Sequence, residues 1–262
     1  MNLEEAIKCN YNLNIISFKK NLDSSDGNVY NIITSSKKYI AKIYDDINKA
    51  HNMINLHNFL KQINIPGILK SNTGEYLIKY DDKYIVIYTF LEGISVKEYL
   101  SENKYSKEIV SSIAKEVRKL HDLTADKTFD LNLVNFANNL SRKSVLHFDL
   151  TKDNILINND KICFIDFDDA KYGDSVCDIA ILLSFLFVSK KRGVDNKNIN
   201  IFLDSYYKED SEELRRIEQK YIKQYIEKWI EYICYGHEFD SSLKDSFEFK
   251  KESASFIELK EV

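Results

Sequence analysis

Residues 3–10 fit a short first helix, after which the chain turns to alternation. Ile15 to Phe18, Val29 to Thr34 and Tyr39 to Tyr44 are runs rich in β-branched and aromatic residues. Asp23-Ser24-Ser25-Asp26-Gly27-Asn28 and Ser35-Ser36-Lys37-Lys38 separate them, so the pattern predicts three strands joined by turns. Apolar positions at Ile47, Met53 or Ile54, Leu56, and Phe59 or Leu60 recur at helical spacing over 46–62. Strand character returns at Glu75 to Lys79 and Tyr84 to Phe90, and Leu91-Glu92-Gly93 breaks the pattern.

Beyond residue 95 the period changes. Ile109, Val110, Ile113, Val117 and Leu120 line one face of an amphipathic helix. Only 155–157 and 162–165 read as strands, while 176–189, 197–207 and 211–236 read as helices. A β-rich first third before a mostly helical remainder predicts an α+β chain of two lobes. The expected boundary lies near Gly93, giving lobes of 1–93 and 94–262. No internal repeat is present.

Composition narrows the classes. With 262 residues, 44% apolar and 30% charged, the chain is neither mainly disordered nor fibrous. A net charge of −4 points to no nucleic-acid or anionic-membrane partner, and the basic run Ser189-Lys190-Lys191-Arg192 reads as a solvated helix end. Cys9, Cys163, Cys177 and Cys234 are scattered without a C-x-x-C spacing. MNLEEAIKCNYN lacks an apolar signal core, and Ile179 to Val188 is too short to span a bilayer. The expectation is a reduced, cytoplasmic protein.

Candidate chemistry concentrates in HFDLTKDN (147–154) and IDFDDA (165–170). Asn159-Asp160, between the apolar runs Ile155-Leu156-Ile157 and Ile162-Cys163-Phe164-Ile165, signals a tight hairpin. Such a hairpin sets position 154 beside 165 and 166. An amide oxygen and a carboxylate converging there, Asn154 and Asp166, suit Mg²⁺, which takes hard oxygen ligands and shares them with substrate phosphates. A further carboxylate, Asp149, is then free to accept a proton from a hydroxyl.

His-x-Asp-x-x-x-x-Asn is the spacing of the protein-kinase catalytic loop, and Ile-Asp-Phe stands where the metal-binding Asp-Phe-Gly would be. The wording HFDLTKDN with IDFDDAKYGDSVCDIA resembles the aminoglycoside phosphotransferase and choline kinase superfamily, including homoserine-kinase-like members, more than protein kinases. There is no Asp-Phe-Gly glycine, no Ala-Pro-Glu and no long activation segment. The resemblance implies a protein-kinase-like fold and an ATP- or GTP- and Mg²⁺-dependent transfer of phosphate to a small-molecule hydroxyl, with the nucleotide between the lobes. It makes Asp149 the catalytic base and Asn154 and Asp166 the metal ligands, with Asp168 assisting. His147 and Asp178 would support the loop. It also makes Lys42 the lysine on the nucleotide phosphates and Ser25 a phosphate contact, while the Thr89 carbonyl and Leu91 amide bind adenine.

The sequence departs from the pattern at one point. Kinases usually pair the strand lysine with a glutamate on the next helix, and no glutamate occurs between Lys42 and Glu75. Lys42 is then held by Asp166 or a polar helix residue, or phosphate positioning is degraded. The second possibility motivates the rival reading of a pseudokinase with a regulatory or structural role. His121 reads as structural. Tyr221, Tyr225, Trp229 and Tyr232 recur at helical spacing, as a core stripe or as an aromatic wall for a cationic substrate.

Overall fold

The computed structural model describes residues 1–22, 27–125, 127–134, 136, 142–236 and 244–259. The chain divides into two compact units, Met1–Glu92 and Gly93–Val262.

In the first unit, α1 (Leu3–Tyr11) is started by Asn2, whose side chain accepts from the Glu5 amide while Glu5 reaches back to the Asn2 amide. Five antiparallel strands follow: β1 (Ile15–Lys20), β2 (Val29–Thr34), β3 (Lys38–Tyr44), β4 (Leu77–Tyr80) and β5 (Lys83–Thr89), in the order β1-β2-β3-β5-β4. Ile7 and Tyr11 of α1 cover Ile32, Ala41, Ile85 and Ile87, one alternating face of the sheet. Helix α2 (Ile47–Phe59), capped by Asp46, buries Ala50, Met53, Ile54, Leu56 and His57.

The second unit starts with β6 (Ile94–Ser95), α3 (Val96–Glu102) and α4 (Lys107–Thr124). Short strands β7 (Leu133–Val134), β8 (Lys143–Leu146), β9 (Ile155–Asn158), β10 (Lys161–Phe164) and β11 (Lys171–Asp174) form two three-stranded sheets, β10-β9-β6 and β7-β11-β8. Helix α5 (Val176–Phe187) is apolar on every side and buried almost throughout, as expected of a helix enclosed by others. It packs on α7 (Glu212–Gly236), while α4 packs on α6 (Asn196–Tyr206). Between α5 and α6, β12 (Val188–Ser189) pairs with β13 (Gly193–Val194), so residues 190–192 form a hairpin turn rather than the predicted helix end. Helix α8 (Lys244–Ser253) lies in a tail for which the pattern predicted no element. Arg118 and Arg142 both bind Asp210, and Arg142 also binds Glu218 at 2.6 Å, tying α4 and β8 to the start of α7.

Among the described residues, no helix is long and apolar enough to cross a membrane.

Candidate active site

The hairpin β9–β10 has the register expected from its turn. Asn158 pairs with Lys161 and Ile155 with Phe164, and Asn159 takes a left-handed φ of 54°, which asparagine tolerates best after glycine. The Ile165 amide then donates to the Asn154 carbonyl at 3.1 Å, which sets Asp166 next to Asn154. The Asn154 side-chain amide donates to the Asp149 carbonyl at 3.0 Å and to Asp149 Oδ2 at 2.6 Å. Its nitrogen is thus committed to Asp149, and Oδ1 is the oxygen left to offer.

A second group of bonds fixes the loop's entrance. Asp178, fully buried on the first turn of α5, accepts from the His147 amide at 2.7 Å and the Phe148 amide at 2.8 Å. Those bonds hold Phe148 at φ 66°, a strained value for an aromatic residue. His121 Nε2 donates to the same carboxylate at 3.2 Å, and the Tyr206 hydroxyl lies 2.7 Å from His121 Nδ1. A carbonyl can only accept, so His147 Nε2 carries the proton it shares with Ile165 at 2.9 Å. Burial pushes the His147 imidazole below its ordinary pKa, and Nδ1 has no hydrogen-bond partner among the described residues.

Asp166 also has a left-handed backbone, φ 66°, and its side chain is exposed, whereas Phe167 turns inward until its ring centre is 4.4 Å from that of His147. Burial pushes the half-buried Asp149 carboxyl from 3.8 up to about 7, and the charges of Asp169 and Asp166 add to this. Asp169, which the sequence reading left unassigned, acts on Asp149 more strongly than Asp166 does. Asp168 is half-buried beside them.

Among the described residues, no three His, Cys, Asp or Glu side chains cluster as a closed metal cage. An amide oxygen and a carboxylate, Asn154 and Asp166, fit the open requirement of Mg²⁺, which completes its shell with water and phosphate oxygens.

Within the first unit, Lys42 lies mid-strand on β3, paired with Val86. Its ammonium stands 6.0 Å from the Tyr88 ring centre. That ring also packs on His57 of α2, and the Tyr88 hydroxyl meets that of Tyr44 at 2.9 Å. Tyr88 is the neighbour the sequence reading missed; its signal was an aromatic residue two pairs from Lys42 on the adjacent strand. Helix α2 carries no acidic residue, and its buried polar side chain is His57, bonded to the Pro66 carbonyl at 2.8 Å. The Thr89 amide donates to the Gly67 carbonyl at 2.8 Å, and Leu91 follows the end of β5. Ser25 lies outside the described residues.

The aromatic stripe of α7 divides. Tyr225 and Trp229 are core, the first donating to Asp174 at 2.5 Å. The half-buried Tyr232 instead packs on Phe136 and Phe148, with Lys171 over the Phe148 ring.

Comparison with known proteins agrees with this layout. Residues 132–206, which include Asp149, Asn154, Asp166 and Asp178, match the sequence model of a family described as "Phosphotransferase enzyme family". No curated protein sequence matches the chain. Among solved structures, an amicoumacin kinase, hAmiN, in complex with AMP-PNP, Ca²⁺ and Ami superposes with a TM-score of 0.73 at 14% identity, over 97% of this chain and 92% of that one. The microcompartment-associated aminopropanol kinase gives 0.64 at 13% identity, over 97% and 95%. Choline kinase LicA from Streptococcus pneumoniae gives 0.62 at 16% identity, over 97% and 98%. The chain has the α+β, protein-kinase-like fold of these small-molecule kinases, and the family resemblance read from its sequence is borne out.

Proposed function

We propose that the protein is an ATP-dependent phosphotransferase whose acceptor is the hydroxyl group of a small molecule. The observation that carries this reading is the Asp149–Asn154 bond at the foot of the β9–β10 hairpin, with Asp166 next to it. Asp149 receives the hydroxyl proton as the acceptor oxygen bonds to the γ-phosphorus; the bond from that phosphorus to the bridging oxygen breaks, and ADP leaves. Asn154 Oδ1 and Asp166 would hold Mg²⁺, which supplies positive charge to the phosphate oxygens, and Asp168 would assist. A base with a pKa near the working pH is well matched to this task, and Asp149 at about 7 meets that condition before a cation is added. His147 and Asp178 position the loop. Lys42 would contact the nucleotide phosphates, and the Thr89 carbonyl and Leu91 amide the adenine edge. Ser25 is proposed as a further phosphate contact from the sequence alone.

The absence of acidic residues on α2 favours a second reading, a nucleotide-binding pseudokinase. Thermal shift with ATP and Mg²⁺, followed by ADP release over a panel of amino alcohols, aminoglycosides and sugars, separates the two. Turnover lost in Asp149→Ala with nucleotide binding retained supports the kinase. Nucleotide binding without turnover on any acceptor supports the pseudokinase.

A further inference from the structure

Beside the catalytic loop, within the second unit, a cavity of about 210 Å³ is lined by α3, Tyr105, Lys152, the end of α5 and the β12–β13 turn. Its floor is apolar, from Leu100, Leu186 and Phe187, while its walls bring in Lys97, Lys152 and Arg192. One acid, Asp195, also lines it, but both its carboxylate oxygens are engaged in capping α6, accepting from the Asn198 amide at 3.1 Å and the Asn198 side chain at 2.7 Å. Lys97 is paired with Asp153 at 3.1 Å on the rim. Lys152 and Arg192 have no ion-pair partner among the described residues, and each raises the positive potential felt by the other. Behind the wall, the buried ammonium of Lys250 donates to the Ser184 and Val188 carbonyls and adds its charge to the same region.

Lys152 and Arg192 face a small cavity whose lining holds one carboxylate, Asp195, so the lining carries more positive than negative charge and an anion relieves the repulsion. We propose that this cavity binds the carboxylate or phosphate group of a small molecule, held by Lys152 and Arg192 with Lys97 at the rim. A planar guanidinium and a flexible ammonium are the usual pair for such oxygens. The Ser101 and Ser189 residues on the lining add short polar side chains. Lys152 stands three positions after Asp149 on one loop.

Calorimetric titration with orthophosphate and with L-malate, on the full chain without nucleotide, tests the site independently of turnover. A failed kinase assay would leave this result intact. The expected result is saturable binding of at least one probe at an ionic strength of about 0.1 M. It should weaken at about 1 M, where the Debye length falls from ~10 to ~3 Å. Phosphate alone marks a phosphate site, malate alone a carboxylate site, and both a shared one. Lys152→Gln and Arg192→Gln should each weaken binding roughly tenfold or more, the loss expected for one charge-assisted contact. Arg192 is exposed, so its variant keeps the fold even if Lys152→Gln does not, and unchanged unfolding midpoints verify this. No saturable binding of either probe, or equal affinity in Arg192→Gln and the parent, overturns the proposal.

Discussion

Replacing Asp149 by asparagine should stabilise the protein while disabling it. The Asp149 carboxyl is raised from 3.8 to about 7, first by burial and then by Asp169 and Asp166. Below about pH 4 the group is protonated in both folded and unfolded chains, and its contribution is flat. Between about 4 and 7 the folded state keeps a proton that the unfolded chain has released, so stability falls as pH rises through this window. A rise from 3.8 to about 7 corresponds to a penalty of up to about 4 kcal/mol at pH 8. Asparagine keeps an acceptor oxygen for the 2.6 Å bond from Asn154 and carries no charge to bury. Urea unfolding of the metal-free protein should therefore find Asp149→Asn more stable than the parent at pH 8 and nearly equal to it at pH 4. ADP release should fall by about 10²–10⁴, the usual worth of a general base. A variant less stable than the parent at pH 8, or a difference that does not change with pH, would refute the electrostatic reasoning.

Asp178→Ala strips the fully buried acceptor from the His147 and Phe148 amides and should cost about 3–5 kcal/mol; urea unfolding measures the loss, and turnover should vanish with it. Asp166→Ala should remove the Mg²⁺ dependence of nucleotide binding, read by titrating nucleotide with and without the metal. Asn159→Val places a β-branched residue at φ 54° and should destabilise by about 1–2 kcal/mol, whereas Asn159→Gly should be close to neutral in the same unfolding assay.

The elements that carry long repetitive patterns were legible in the sequence. Strands β1 to β5 are runs of β-branched and aromatic residues bounded by turn residues, and α4 repeats its apolar face over five turns, so both could be placed from the sequence. The β9–β10 register followed from Asn159-Asp160 and two apolar runs. By contrast β6, β7, β12 and β13 are two residues each, too short to show any period. They exist because neighbours far along the chain offer backbone partners. The candidate site divides in the same way. Asp149, Asn154 and Asp166 sit at spacings a reader can count, while the force of Asp169 on Asp149 depends on how the chain turns after Phe167. The cluster of Lys152 and Arg192 was less visible still, since forty residues separate them and the second was expected at a solvated helix end.

The two bonds from His121, one to Asp178 and one to Tyr206, have a consequence for how the second unit assembles. Asp178 shapes the backbone of 147–148, His121 steadies Asp178, and Tyr206 is 85 residues from His121 along the chain. The loop bearing Asp149 therefore reaches its shape only when α4, α5 and the end of α6 have all docked. An incompletely folded chain cannot carry a half-competent site, so activity during refolding should rise together with the burial of helix α6, in one step.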